Sequence, residues 1–172
     1  MKRSLKIIKG NLVLRSLTQE DLELITYWRN REDIRDWFFS TKIITKEEQR
    51  NWYCDYLKNL QDFVFLIDEV DIFNRTIGTI SLYNINQRLR EAELGRFIIG
   101  DGDANGKGWG PKVVNMVCEL AYKEFGLNRV FLKVFKCNLR AINVYEKSGF
   151  KSVKEEFLNG QSILVMEKCL DE

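Results

Sequence analysis

The clearest chemical signal in this sequence is a glycine-rich segment that directly precedes a helical pattern. Five of the chain's 11 glycines lie at positions 100, 102, 106, 108 and 110, and Pro111 opens an amphipathic run. A helix start gathers unpaired backbone N–H groups and the positive end of the helix dipole, and glycine lets an anion approach the backbone closely. Segment 105–110 therefore suits a phosphate or pyrophosphate, although a flexible turn without a ligand has a similar composition.

Two common phosphate-binding motifs do not match this loop. It lacks the G-K-[ST] ending of a nucleotide-triphosphatase P-loop. It also follows too few parallel strands for the fingerprint of a dinucleotide-binding fold. These two phosphate chemistries are therefore excluded.

The chain contains no histidine, the commonest general base and metal ligand at neutral pH. This excludes Ser-His-Asp hydrolysis, Cys-His proteolysis and histidine-based zinc sites. Cys137 has no histidine to activate it as a nucleophile. The cysteines form no C-x-x-C pair, so we predict no metal site and reduced, mostly packed thiols at Cys54, Cys118, Cys137 and Cys169.

Length and charge point to one globular domain over residues 1–172. The chain has 45% hydrophobic residues and a formal net charge of +2, without the basic excess typical of a nucleic-acid-binding protein. No stretch reaches the roughly 20 apolar residues that span a bilayer, and charged residues interrupt the N-terminal segment. We therefore predict a cytoplasmic protein with neither a nucleic-acid nor a membrane partner.

Strand and helix periods alternate along the chain, which predicts an α/β protein. Strand-like runs occupy residues 5–17, 63–67, 76–83, 92–99, 129–135, 150–157 and 163–167. Thr18 with Asp21, and Thr45 with Glu48, predict two helix starts. Apolar residues follow these starts at helical spacing, namely Leu22, Ile25 and Trp28, then Trp52, Tyr53, Tyr56, Leu57 and Leu60. Two later helices are predicted from Pro111 to Gly126 and over 138–147.

Three segments together resemble the GNAT family of acetyl-CoA-dependent N-acetyltransferases, particularly the ribosomal-protein N-acetyltransferase branch. They are 92–95 (AELG), 105–110 (NGKGWG) and 138–150 (NLRAINVYEKSGF), and the resemblance covers nearly the whole chain. It implies a central mixed, mostly antiparallel sheet of six to seven strands with splayed parallel strands in the middle and about four flanking helices. Asn105 departs from the family's Gln or Arg, whereas Gly108 and Gly110 match.

The resemblance implies acetyl-CoA as cosubstrate and no metal. The pyrophosphate would lie on backbone N–H groups, with Lys107 adding charge, over the loop residues Asn105, Gly106, Lys107, Gly108, Trp109 and Gly110. Pantetheine would pair with backbone groups of Phe97, Ile98 and Ile99, and the Ile98 N–H would stabilise the oxyanion. Asn138, which is also a favoured helix N-cap, and Ala141 share a helix face with Tyr145 and complete the predicted binding residues.

Two residues are implied to move protons. Tyr145 would protonate the departing CoA thiolate, and its alternative role is a core aromatic on an amphipathic helix. Glu93 would accept the amine proton, often through water, and its alternative role is a solvated charge at the start of a strand. A non-enzymatic CoA-binding sensor is the competing hypothesis, but such a protein would be expected to have lost one of these two groups.

The acceptor, a small-molecule or peptide amine, is expected to bind at the aromatic loop after the first helix. Candidate binding residues are Arg29, Arg35, Trp37 and Phe38, and no single face can bury 37–39 together. The W-R-N motif resembles acetyltransferases of nucleotide-linked 4-amino sugars. N-terminal peptides, polyamines and aminoglycosides remain open, although the cationic acceptors would prefer an acidic cleft. We expect a monomer or homodimer.

Overall fold

A computed structural model of the chain describes residues 4–170. The eight strands of this part are β1 (Lys6–Lys9), β2 (Leu12–Ser16), β3 (Phe63–Glu69), β4 (Arg75–Asn86), β5 (Glu91–Ile99), β6 (Arg129–Phe135), β7 (Lys151–Leu158) and β8 (Gln161–Cys169). Its five α-helices are α1 (Leu22–Asn30), α2 (Glu32–Arg35), α3 (Lys46–Lys58), α4 (Trp109–Phe125) and α5 (Leu139–Lys147). A 3-10 turn, Gln19–Asp21, leads into α1.

The strands follow the hydrogen-bonded order β1-β2-β3-β4-β5-β6-β8-β7. Strand β2 pairs antiparallel with β1 and β3, and β8 pairs antiparallel with β6 and β7. Strands β5 and β6 are parallel. The predicted fold class, a mixed and mostly antiparallel sheet with parallel strands in its middle, is confirmed.

The described residues contain more elements than predicted. The single strand expected over residues 5–17 is divided at Gly10, whose φ of +60° forms the turn of a β1–β2 hairpin. Helix α2 has only four residues, which is too short to show apolar residues repeating at helical spacing in the sequence. These two features account for the eighth strand and the fifth helix.

Three of the predicted helix boundaries are confirmed by their capping contacts, whereas α4 begins at Trp109, before the predicted Pro111. The Thr18 N–H donates to the Asp21 carboxylate at 2.9 Å, and the Glu48 N–H donates to the Thr45 hydroxyl at 3.2 Å. Gly126 ends α4 with a φ of +65° and donates its N–H to the Tyr122 carbonyl. Short-range polar contacts thus specify where these helices begin and end.

One predicted helix end and one packing prediction are wrong. Helix α3 ends at Lys58, so Leu60 lies beyond it, and both Leu57 and Leu60 are exposed. All four thiols are free, but only Cys118 is buried, and burial raises the pKa of this thiol to about 11. The other three, Cys54, Cys137 and Cys169, are exposed.

The contacts within the chain group it into two compact units. The first unit comprises Met1–Ser81 and Arg96–Asn105, and the second comprises Leu82–Gly95 and Gly106–Glu172. Strands β4 and β5 contribute residues to each unit. The single domain over residues 1–172 stays a prediction, and residues 1–3 and 171–172 lie outside the described residues.

The first unit has a core built on β2, β3, α1 and α3. Its buried cluster consists of Leu17, Leu22, Tyr56, Val64 and Leu66, with Ile25, Trp52 and Tyr53 packed against it. The Arg15 guanidinium lies beside this cluster and bridges Asp21 and Asp68, each at 2.8 Å. Trp52 thus packs against the core of this unit, and Trp28 is buried in it as well.

The second unit buries one face of α4. Val114, Val117, Cys118 and Ala121 are buried, as the helical spacing predicts. The facing strands contribute alternating buried residues in β6 and β8, namely Val130, Leu132, Val134, Ile163 and Val165. The β7–β8 hairpin closes through Asn159 and Gly160, both at positive φ, as expected for a tight two-residue turn.

A close approach at Gly100 fixes Trp28 against the end of β5. A Cβ built at Gly100 would lie 2.1 Å from Trp28 Cδ2, and the Trp28 ring is buried. Gly102, two residues further on, has no atom within 4 Å of a built Cβ. The two glycines therefore form a matched pair for testing this packing.

We expect Gly100→Ala to lower the free energy of unfolding by about 1–3 kcal/mol, because the added methyl overlaps the indole. Gly102→Ala is the control and should unfold like the wild type. Urea denaturation followed by tryptophan fluorescence measures both. Equal stability of the two variants would show that Trp28 moves freely away from Gly100.

Candidate active site

The glycine loop has the backbone geometry that the sequence predicts for an anion site. Gly106 and Gly108 lie at φ values of +74° and +78°, and a Cβ built at either would meet nothing within 4 Å. Gly108 is the N-cap of the 17-residue helix α4. The first N–H groups of that helix, from Trp109 onward, therefore face the loop without intrahelical partners.

Trp109 is an unusual residue at this helix start. Its ring is buried, but Nε1 has no hydrogen-bond partner among the described residues. The Lys112 ammonium lies 5.2 Å from the ring centroid. A buried N–H without a partner beside a helix N-terminus is consistent with a ligand that supplies acceptor atoms, so the loop fits a phosphate-bearing cosubstrate such as acetyl-CoA.

A second close contact joins this helix start to α5. A Cβ built at Gly110 would lie 3.0 Å from each of the two Val144 methyl carbons. Tyr145 is the next residue along α5, so the same contact holds the loop and Tyr145 in one part of the second unit. Gly110 permits this approach because it has no side chain.

Tyr145 is 8% exposed, and burial raises the pKa of its phenol far above the ordinary value. Its ring lies 6.0 Å from that of Phe150 in a tilted arrangement. The phenol is therefore neutral over the physiological pH range. The same packing also fits the alternative role of Tyr145 as a core aromatic.

Asn138 caps α5, as predicted. Its Oδ1 accepts the Ala141 N–H at 3.1 Å. The Asn138 side-chain NH₂ is a different group and is not used by this cap. The Ala141 N–H is already bonded, so Ala141 would face a ligand through its methyl group.

Glu93 is half-buried and held by two donors that the sequence analysis missed. The Tyr83 hydroxyl donates to Glu93 Oε1 and the Asn84 amide donates to Oε2, both at 2.9 Å. A Cβ at Gly95 would lie 2.7 Å from the Tyr83 hydroxyl oxygen, so glycine there makes room for this tyrosine. Glu93 is therefore an oriented carboxylate rather than a freely solvated charge.

In the second unit, the parallel ladder of β5 and β6 is short. Its pairs run from Glu91 with Arg129 to Glu93 with Phe131. Strand β6 continues its antiparallel ladder with β8 as far as Phe135. Strand β5 itself extends to Ile99.

The rest of β5 belongs to the first unit and begins at a bulge-like residue. Arg96 has a φ of +49°, and its guanidinium donates to both carboxylate oxygens of Asp62 at 2.8 and 2.9 Å. The Thr79 hydroxyl donates to the Arg96 carbonyl at 3.3 Å. These contacts hold a left-handed non-glycine conformation directly before the candidate pantetheine residues Phe97, Ile98 and Ile99.

The candidate acceptor residues lie on α1, α2 and the following turn, all in the first unit. The Arg29 guanidinium carbon lies 4.0 Å from the Phe38 ring centroid. Trp37 is 49% exposed and Phe39 42%, whereas Phe38 is half-buried. Arg35 donates weakly to the Asn30 carbonyl at 3.4 Å.

A cleft of about 700 Å³ lies in the same unit between α1 and α3. Its ionisable lining consists of the cations Arg31, Lys46 and Arg50 and the carboxylates Glu20 and Glu23. Cations thus outnumber carboxylates in this cleft. This balance differs from the acidic cleft that a polyamine would prefer.

The structure thus brings the predicted site residues into two groups. The second unit holds Glu93, Gly106–Gly110, Asn138, Ala141 and Tyr145, and the first holds Arg29, Arg35, Trp37, Phe38, 97–99 and Asn105. Within residues 4–170, no cluster of three or more cysteine, aspartate or glutamate residues could hold a metal. No helix in that range is long and apolar enough to cross a membrane.

A glycine-flanked helix start, a buried tyrosine on the helix that contacts it and a mixed sheet with a short parallel ladder fit the class of acyl-CoA-dependent acyltransferases. A family model for the acetyltransferase (GNAT) domain matches residues 11–151, and the chain belongs to this family. At the level of the family, the predicted enzyme class and the acetyl-CoA cosubstrate are confirmed.

Curated relatives share this domain at modest identity. The chain is 30% identical over 148 residues to an uncharacterized protein of Methanocaldococcus jannaschii, covering 85% of the chain but only 29% of that relative. It is 26% identical over 158 residues to spermidine N(1)-acetyltransferase of Vibrio cholerae, covering 90% of the chain and 89% of that enzyme.

A solved structure shares the fold. The spermidine N-acetyltransferase from Vibrio cholerae, crystallised in complex with CoA and spermine, superposes with a TM-score of 0.85 at 24% identity. The match covers 94% of this chain and 97% of that one. At this identity, the similarity shows that the two proteins share a fold. It does not identify the acceptor of this chain.

Proposed function

We propose that this protein transfers the acetyl group of acetyl-CoA to a primary amine by direct attack in a ternary complex. The observation that supports this proposal is the Gly110–Val144 contact in a member of the GNAT family: it joins the start of α4, which we assign to the pyrophosphate, to the residue that precedes Tyr145. Acetyl-CoA supplies an already activated thioester. The chain's own residues need only bind it, orient the amine and move two protons.

The cosubstrate would be held mainly by backbone groups. Gly106, Lys107, Gly108, Trp109 and Gly110 would donate N–H groups to the pyrophosphate, and the Lys107 ammonium would add charge. Asn105 precedes this cradle. The left-handed Gly106 and Gly108 support the assignment, because they turn successive N–H groups toward the loop.

Pantetheine would pair with the backbone of Phe97, Ile98 and Ile99 as an added strand. The short β5–β6 ladder and the fixed Arg96 conformation support this assignment. The Ile98 N–H would donate to the thioester carbonyl oxygen. In the second unit, the NH₂ group of Asn138, which its cap does not use, would donate to the cosubstrate.

Proton transfers would run through Glu93 and Tyr145, since the chain has no histidine. Glu93, oriented by Tyr83 and Asn84, would accept the amine proton directly or through water. Tyr145 would protonate the departing thiolate. Burial raises the pKa of the Tyr145 phenol and so weakens it as an acid, while a thiolate buried beside it would itself be destabilised, which favours its protonation.

For the acceptor we favour a nucleotide-linked amino sugar. The exposed Trp37 and Phe39 offer flat surfaces for a base, and the arginines of α1 and α2 suit an anionic acceptor. The Vibrio cholerae relative makes a polyamine the second candidate, but the lining of the α1–α3 cleft argues against a polycation. N-terminal peptides and aminoglycosides are the other alternative acceptors.

We also propose a monomer or homodimer and a cytoplasmic location. A related structure at 24% identity is described as dodecameric, which concerns that protein. The predicted lack of nucleic-acid and membrane partners rests on the formal net charge of +2 and on the apolar patterning of the sequence.

We expect Tyr145→Phe to lower kcat at least tenfold and leave the affinity for CoA unchanged, because the phenyl ring keeps the packing and removes the proton donor. Thiol release from acetyl-CoA and CoA titration measure the two quantities. Cys137→Ala is the control and should retain full activity, since direct transfer needs no thiol nucleophile. Unchanged kcat in Tyr145→Phe would reduce Tyr145 to a core aromatic.

The function itself is tested with an amine panel. We expect acetyl-CoA-dependent thiol release to show the highest kcat/KM with nucleotide-linked amino sugars, followed by spermidine, aminoglycosides and N-terminal peptides. The matched control is the same amino sugar without its nucleotide, which should react at least tenfold more slowly. Preference for spermidine would overturn the acceptor assignment, and no turnover of any amine would overturn the proposed function.

A further inference from the structure

Two arginines in the acceptor region have buried N–H groups without partners. Arg29 Nη1 and Arg35 Nε are both shielded from solvent, and neither finds an acceptor in the described part of the chain. The other side of the Arg29 guanidinium has partners. Nη2 donates to the Ser40 carbonyl, and the guanidinium lies over the Phe38 ring. Protein interiors rarely leave such donors unused, so the arrangement suits a ligand that supplies oxygen acceptors.

Other arginines of the first unit form ion pairs with carboxylates. Arg15, Arg31, Arg75 and Arg96 each pair with at least one carboxylate, the partners being Asp21, Asp68, Asp33, Asp101, Asp103 and Asp62. No ion pair identified over residues 4–170 includes Arg29 or Arg35. The first unit thus neutralises its other partly buried arginines and leaves this pair without a countercharge.

The two guanidinium groups also act on each other. Burial and then the positive charge of Arg35 lower the pKa of Arg29 from its ordinary value. Two cations held close together without a carboxylate repel, and an anion between them would remove that repulsion. A planar guanidinium binds the oxygens of a phosphate or carboxylate in a fork-like geometry.

We propose that Arg29 and Arg35 form an oxyanion subsite that binds a phosphate or carboxylate group of the amine acceptor. The inference rests on the proposed function for its biological ligand and deepens it, since it defines the acceptor as an anionic amine. A nucleoside diphosphate fits best, because the exposed Trp37 and Phe39 lie beside the pair in sequence and offer stacking surfaces for a base. A polyamine has no group for this subsite.

The subsite is tested by calorimetric titration of the protein saturated with CoA, so that the glycine loop is already occupied. The probes are uridine diphosphate, inorganic pyrophosphate and succinate. We expect uridine diphosphate to bind the wild type and to bind Arg29→Gln/Arg35→Gln at least tenfold more weakly. Lys6→Gln/Lys9→Gln removes the same charge from exposed positions of strand β1 and should change the affinity less than twofold.

The order in which the probes bind identifies the chemical class of the ligand. Stronger binding of uridine diphosphate or pyrophosphate than of succinate identifies a phosphate as the source, and the reverse order identifies a carboxylate. Arg29→Lys keeps the charge but loses the fork, and should weaken binding to an intermediate degree. The proposal is overturned if no probe binds the wild type, or if the Arg29 and Arg35 variants, shown to be folded by circular dichroism, bind like the wild type.

Failure of this inference is distinguishable from failure of the proposed function. Thiol release with some amine, together with no oxyanion binding at Arg29 and Arg35, would remove only the subsite. Oxyanion binding without turnover of any amine would leave the subsite and remove the acetyl transfer.

Discussion

The close contact between Gly110 and Val144 is the constraint on which the rest of the proposed site depends. Helix α4 begins in close contact with α5 at position 110, where a Cβ would lie 3.0 Å from each Val144 methyl carbon, a few tenths of an ångström too close. This contact brings the N–H groups of the glycine loop and the phenol of Tyr145 into the same part of the second unit. Each element alone is common in proteins, and their juxtaposition gives the site its chemistry.

Because the chain has no histidine, the proposed site relies on Tyr145 and Glu93 for its proton transfers. Its two titratable groups have opposite surroundings: Tyr145 is buried and held neutral, whereas Glu93 is half-buried and accepts two hydrogen bonds. An acid and a base with such different environments suit acetyl transfer, because one group must give a proton to a thiolate and the other must take one from an amine. Neither role needs a metal.

Features set by neighbouring residues could be predicted from the sequence. The capping contacts of Thr18, Thr45 and Asn138, the stop at Gly126 and the 159–160 turn all depend on residues close together along the chain. The GNAT motifs also identified the glycine loop and the fold class. The short helix α2 was missed because four residues are too few to show a helical repeat of apolar residues.

Features set by distant residues could not be predicted. The donors to Glu93 reach it across a strand connection, and the Asp62 partner of Arg96 is 34 positions away. No local pattern encodes such partners. Exposure of Cys54 and Leu57 likewise depends on which face of α3 the rest of the first unit covers. Arg29 and Arg35 could be singled out by type, but their unpartnered N–H groups are visible only in the structure.

A double-mutant cycle at Gly110 and Val144 tests the central claim most directly. We predict that Gly110→Ala lowers kcat/KM for acetyl-CoA at least tenfold, because the new methyl pushes α5 and Tyr145 away from the loop. Gly110→Ala/Val144→Ala should recover most of the loss, since the second change removes the methyls that the first would meet. Wild-type activity in Gly110→Ala, or no recovery in the double variant, would contradict the account.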